Sequence, residues 1–206
     1  MHLLNKKIFF SDHVFNVAEN VYFPSEDSFL FAENLAVKEA ASVLDMGAGC
    51  GILGIVAAGK AAEVVSVDIN PYAVRCAKEN AKLNNVSNKL HFVQGDLFAS
   101  IRKGEKFDLI LFNAPYVPSE QAEDASWLAR AWDGGSTGRQ VIDRFVDEAP
   151  KYLKRNGSIF LMQSTLSNVE ETLQKFCENG LRANVVVEEG LPFFETIVLV
   201  KAGRLC

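Results

Sequence analysis

The 206-residue chain is 49% hydrophobic and 23% charged, enough apolar material for a sizeable core and too short for two full domains. A formal net charge of −5 argues against a nucleic-acid partner gripped through its phosphates and favours a protein or small-molecule substrate. Cys50, Cys76, Cys177 and Cys206 show no C-x-x-C spacing and lie far in sequence from His2, His13 and His91, so no metal site or disulfide framework is expected. The start MHLLNKKIFFSDHVF lacks a signal-type apolar region, and no stretch approaches the roughly 18 apolar residues of a membrane span, so a cytoplasmic protein is expected.

In chain order, KIFF and VFNV flank the turn-like SDH and predict a short amino-terminal hairpin. A leading helix follows within residues 23–40: Ser25 after Pro24 is a candidate N-cap, Glu26 and Asp27 fall in the first turn, and Phe29, Leu30, Ala32, Leu35 and Ala36 recur at helical spacing. Then come strand SVLDM, a glycine-rich turn, helix ILGIVAAGK, strand EVVSVD, helix PYAVRCAKENAKL, and strands LHFVQ and FDLILF. Asn70 and Pro71 are a cap and first helical residue. Helix GRQVIDRFVDEAPKYL, strand SIFLM, helix NVEETLQKFCENG and strands near ANVVVEE and ETIVLVKA complete the chain. Strands alternating with helices mean an α/β fold with a mostly parallel, doubly wound sheet of seven strands and helices on both faces. The expected organisation is one domain over 1–206, with an extension at 1–22, the leading helix at 23–40 and a Rossmann-like core at 41–206.

Chemistry gathers where strands end. Asn113-Ala114-Pro115-Tyr116 follows FDLILF: the Asn113 side-chain carbonyl and the Ala114 main-chain carbonyl are two acceptors that match the two hydrogens of a planar NH2 group. Pro115 favours an extended Ala114, and Tyr116 offers a flat face for stacking. In VLDMGAGCG, Gly47, Gly49 and Gly51 permit a sharp turn and close approach to a ligand. Gly49-Cys50-Gly51-Ile52-Leu53-Gly54 also satisfies G-x-G-x-x-G, with Asp68 near the spacing of a ribose carboxylate, so a nicotinamide dehydrogenase is the rival reading. Asp45 discriminates: a carboxylate sits poorly beside a pyrophosphate and well beside a sulfonium with its ammonium group, which favours S-adenosylmethionine. Asp96 in VQGDLF is placed to accept from an adenine amino group, with Leu97 packing nearby.

Together, DMGAGCG at 45–51, Asp68, Asp96-Leu97 and Asn113-Ala114-Pro115-Tyr116 resemble the Rossmann-type S-adenosylmethionine methyltransferases of the HemK/PrmC group, which methylate the glutamine amide of the Gly-Gly-Gln motif in class-one peptide-chain release factors. VYFPSEDSFLF and AWDGGSTGRQVIDRF are similar to segments of the short archaeal and eukaryotic branch, so the resemblance spans nearly the whole chain. It implies Ser28, Asp45, Gly47, Gly49, Gly51, Asp68, Asp96, Leu97 and Asn113 as donor-binding residues, Asn113 to Tyr116 as the catalytic motif, a release factor as substrate, and a small zinc-binding activator pairing along a sheet edge. Ala114 replaces the first Pro of the family's Asn-Pro-Pro-Tyr, and Ser28 replaces a Thr. The same acceptor pair suits the amino group of a DNA adenine, the resemblance also implies protein lysine as an alternative acceptor, and a non-catalytic binding module is a further alternative. The irregular stretch 117–136 reads as a lid, Trp127 and Trp132 either as part of it or as anchors of the loop to the core, with anchoring favoured, and Arg139, Asp143 and Arg144 as a charge network on a helix surface.

Overall fold

The structure is a computed structural model that describes residues 6–119 and 126–204; His2, Cys206 and residues 120–125 of the expected lid lie outside the described residues. It divides into two compact units, residues 1–100 and 101–206.

The first unit opens with a hairpin of β1 (Lys6–Phe10) and β2 (His13–Val17), paired from Lys6 opposite Val17 to Phe10 opposite His13. Helix α1 covers Glu26–Glu33, shorter than the 23–40 expected. It stops because Asn34 takes over the end of the helix, its N–H and side-chain amide both donating to the Leu30 carbonyl. Ser25 occupies the N-cap position without capping; its hydroxyl donates instead to the Glu26 carboxylate. Strand β3 (Ser42–Met46), helix α2 (Ile52–Ala58), strand β4 (Glu63–Asp68), helix α3 (Pro71–Leu83) and strand β5 (Leu90–Gln94) then alternate. The three strands are parallel, with Asp45 opposite Ser66 and Asp68 opposite Gln94. Every residue of β3 is buried, as a parallel strand covered on both faces must be. Asn70 caps α3 by accepting from the Tyr72 N–H at 2.9 Å, as the Asn-Pro start predicts.

The second unit holds β6 (Phe107–Asn113), α4 (Gln140–Tyr152), β7 (Leu153–Ser164), α5 (Val169–Glu178), β8 (Leu181–Gly190) and β9 (Thr196–Arg204). Strands β6 and β7 are parallel, while β9 runs antiparallel to both β7 and β8. Helix α4 buries Ile142, Phe145, Val146, Ala149 and Pro150, the i, i+3, i+4, i+7, i+8 stripe of an amphipathic helix. The Phe145 ring lies 4.6 Å from that of Phe112 on β6. The seven core strands follow the order β5-β4-β3-β6-β7-β9-β8, parallel within β5-β4-β3 and between β6 and β7, with β9 antiparallel to both its neighbours, the mostly parallel sheet that the alternating pattern predicts. Among the described residues no helix is long and apolar enough to cross a membrane.

Candidate active site

In the first unit, the end of β3 and the glycine turn are organised by two carboxylates. Asp45 is 1% exposed. Its Oδ2 accepts from the Gly54 N–H at 3.1 Å and from the Ser66 hydroxyl at 3.4 Å, while its Oδ1 is buried with no hydrogen-bond partner. Burial pushes its carboxyl up to about 7; the Gly54 N–H works against that, and neighbouring Asp68 adds to it. A buried carboxylate with an idle oxygen and a raised pKa suits a cation. Asp68 spends one oxygen on each side of its strand end: Oδ2 accepts from the Gly49 N–H and Oδ1 from the Asn70 N–H, both at 2.8 Å. Burial raises its pKa, and those two N–H groups oppose the rise. A carboxylate oxygen accepting one bond retains capacity for another, which is the property a ribose diol requires.

The turn itself is tight. The Ala48 N–H donates to Val67 O at 3.0 Å and the Gly51 N–H to Ala48 O at 2.7 Å. Gly51 has φ 90°, and a Cβ there would lie 3.0 Å from the Ala77 Cβ of α3, so both conformation and space require glycine. Gly54 answers the dehydrogenase reading. Its missing Cβ would fall 2.7 Å from Asp45 Oδ2 and 2.8 Å from Ser66 Oγ, so the third glycine of G-x-G-x-x-G makes room for a carboxylate. Gly54→Ala is expected to displace the Asp45 carboxyl, lower stability by about 1–3 kcal/mol and weaken binding of a cationic donor, which unfolding curves and calorimetry measure. Gly47, at φ 66°, completes the turn.

Ser28 is buried beside Asp27, whose Oδ1 receives the Ser28 hydroxyl at 3.1 Å and the Tyr22 hydroxyl at 3.4 Å. Burial, reinforced by Asp27, drives the Tyr22 hydroxyl well above its usual range, so it stays a donor. At the end of β5, Asp96 is half-buried and Leu97 adopts φ 46°, a left-handed conformation costly for a side chain of that size. Ile69, directly after Asp68 in the chain, is 42% exposed.

In the second unit, Asn113 ends β6 opposite Met162; it is half-buried as a residue while its side-chain oxygen is buried. Ala114 is 3% exposed and its N–H points to Met162 O at 3.4 Å. Pro115 and Tyr116 are half-buried. The chain beyond is strapped down on its described parts: Val117 N–H donates to Trp132 O at 3.0 Å, Gly134 N–H to Val117 O at 2.9 Å and Ser119 N–H to Gly135 O at 3.0 Å. A Cβ on Gly138 would collide with the Tyr116 carbonyl. The A-W-x-G-G segment thus buttresses the exit of β6 through its main chain. Trp132 keeps 40% of its surface exposed, and Trp127 carries the Arg130 guanidinium 5.0 Å above its ring.

Arg139 corrects the expected surface network, because it is 4% exposed. Its guanidinium donates to the carbonyls of Ser167 at 2.6 Å and Asn168 at 2.7 Å and pairs with Asp143 at 2.7 Å, pinning the turn after β7 to the start of α4. Those carbonyls lie 28 and 29 residues away, which helical spacing alone does not reveal. Arg139→Met is expected to cost about 3 kcal/mol by stranding them, read from urea unfolding.

A family model described as the methyltransferase small domain matches residues 24–130. The chain is 44% identical over 187 residues to a protein of Methanocaldococcus jannaschii named as a putative protein N5-glutamine methyltransferase, covering 90% of this chain and 92% of that one. It is 36% identical over 179 residues to human methyltransferase HEMK2, covering 82% and 83%. A chain of the E. cuniculi Mtq2–Trm112 complex, described as responsible for methylation of the translation termination factor eRF1, superposes with a TM-score of 0.66 at 26% identity over 90% of this chain and 99% of that one. With a glycine turn built around Asp45 and Asp68 and an Asn-Ala-Pro-Tyr strand exit, the chain belongs to the methyltransferase small-domain family, among its HemK-type protein-glutamine methyltransferases.

Proposed function

We propose that this protein transfers a methyl group from S-adenosylmethionine to the side-chain amide nitrogen of the glutamine in the Gly-Gly-Gln motif of a class-one release factor, in the cytoplasm. The observation that carries the reading is Asn113 at the last residue of β6, its carbonyl oxygen buried, followed by the buried Ala114. When bound, the donor supplies a methyl on a positively charged sulfur.

The residues of the first unit hold that donor. Asp45 meets the cationic end, Asp68 the ribose hydroxyls, and Asp96, Leu97 and Ser28 the remainder, with Gly47, Gly49 and Gly51 giving the backbone its close approach. The idle Oδ1 of Asp45 supports the fit. Asn113 Oδ1 and the Ala114 carbonyl accept the two amide hydrogens, Tyr116 packs against the planar group, and Pro115 stiffens the exit. A glutamine amide is nearly non-basic because its lone pair is delocalised into its carbonyl. Hydrogen bonds to two acceptors strengthen as the NH2 group becomes ammonium-like, so Asn113 and Ala114 favour the transition state over the ground state. No covalent intermediate on the protein is required, and the proton leaves to water after transfer. Ala114 in place of the family Pro retains the carbonyl that does this work.

A small activator protein pairs along a sheet edge; β5 and β8 end the strand order, and the Mtq2–Trm112 complex supports such a partner. Peptide mass spectrometry of a release factor incubated with S-adenosylmethionine and this protein, with and without a candidate activator, tests the reading. One methyl on the Gly-Gly-Gln glutamine is expected; methylation confined to lysine, or to added duplex DNA, would redirect the acceptor assignment.

A further inference from the structure

Asn80 lies on α3, is 1% exposed and has no role in the chemistry above. Its Oδ1 accepts the Asn16 N–H at 2.9 Å, and its Nδ2 donates to the Asn16 carbonyl at 3.0 Å and to the Cys50 carbonyl at 2.9 Å. One turn on, Asn84 repeats the first two bonds with Val14, at 2.9 Å from the N–H and 2.8 Å to the carbonyl. The spacing explains the match: four helical residues advance about 6 Å and two strand residues about 6.7 Å, so two asparagines on one face present amides in the register of a neighbouring strand. The helix thereby takes the place of a third strand beside β2.

Only Asn80 continues past the hairpin. Cys50, 2% exposed, sits between Gly49 at φ 56° and Gly51 at φ 90°, and its carbonyl precedes the first turn of α2. The face of α3 that meets the turn is made of small residues, Ala73, Ala77 and Ala81, all at most 2% exposed, which lets the helix approach closely enough for a short amide to reach it. One side chain therefore fixes both the hairpin and the middle of the glycine turn.

We propose that Asn80 is a positioning residue for the methyl donor, holding the Gly47–Gly51 turn in its binding shape and coupling it to the docked hairpin through the Cys50 carbonyl. The proposal rests on reading that turn as the donor site. Losing the amide frees the turn, so donor binding weakens while turnover at saturating donor is preserved. Losing Asn84 loosens the hairpin alone.

Isothermal titration calorimetry of the full chain with S-adenosylmethionine, alongside melting curves and methylation kinetics, separates the two. Asn80→Ala is expected to raise the donor Kd about tenfold or more and the donor KM in parallel, with kcat within about threefold. Asn84→Ala is expected to lower the melting temperature comparably and leave the donor Kd within about twofold. Asn80→Asp, of the same size and still an acceptor for the Asn16 N–H, loses the donor to Cys50 and is expected to weaken the donor likewise. In the unaltered protein, donor binding is expected to slow hydrogen exchange at the Asn16 amide more than at Val14, a readout independent of any variant's folding. Asn80 variants that bind like wild type, an Asn84→Ala as weakened as Asn80→Ala, or unchanged Asn16 exchange on donor binding would each overturn the proposal. Wild-type protein that fails to bind S-adenosylmethionine would instead remove the donor reading on which it stands.

Discussion

Asn113→Ala is expected to retain S-adenosylmethionine binding and to transfer methyl about 10²–10³-fold more slowly, comparable to removing one aligned polar group from a preorganised site. The substitution deletes one of the two acceptors and leaves the carboxylates of the first unit untouched. The bond to a neutral amide hydrogen is weaker than one to a nitrogen gaining positive charge, so affinity for the release factor should change less than the rate, and the lost bond matters most as positive character develops on nitrogen. The loss should therefore fall mainly on kcat, with a smaller change in KM for the release factor. Asn113→Asp retains an oxygen in the same place and is expected to keep more activity than Asn113→Ala. Equal rates for Asn113→Ala and wild type in single-turnover measurements would end the two-acceptor account.

Donor affinity should climb steeply with pH up to neutrality, and Asp45 should be the cause. Its carboxyl, lifted by burial to about 7 from the ordinary 3.8, is neutral below that point in the ligand-free protein. A cationic partner prefers the carboxylate, so the donor Kd is expected to increase about tenfold for each pH unit below 7. Stability of the ligand-free protein runs in the opposite direction. A group whose pKa rises on folding contributes stability that is complete below its ordinary value and is lost as pH climbs through the folded value. The Asp45 contribution is therefore full below pH about 4 and declines towards pH 7. The difference between wild type and Asp45→Asn isolates it from other carboxylates: Asp45→Asn should bind the donor weakly at every pH and lack this component of the melting profile. A donor Kd flat between pH 5 and 8 in wild type would show that Asp45 does not meet the cation.

Strands and helices were legible because their signals are local. The strands β4 and β6 stand out as the short runs EVVSVD and FDLILFN, rich in β-branched and other apolar residues, and Asn70-Pro71 announces α3 through chemistry confined to a few residues. Asp45, Asp68, Asp96 and Asn113 stand out in the sequence for a related reason, since polar residues at or just past the carboxyl ends of apolar strands break the pattern. What stayed hidden depends on partners distant in the chain. Nothing local marks Asn80 and Asn84, since only the fold brings them to β2, 64 and 70 residues away in the chain. Arg139 read as a solvated charge because the carbonyls it binds belong to a turn whose placement no local rule supplies. Gly54 fits a dinucleotide fingerprint by spacing alone, and only the fold sets it against the Asp45 carboxylate.

The central claim is that Asn113 Oδ1 and the Ala114 carbonyl together hold the acceptor nitrogen. A crystal structure with S-adenosylhomocysteine and a Gly-Gly-Gln peptide measures it directly. The glutamine nitrogen should lie about 2.8–3.2 Å from both oxygens, with the donor sulfur in line behind the position of the transferred methyl. A glutamine side chain turned away from Asn113, or a sulfur lodged where no methyl could reach that nitrogen, would contradict the account.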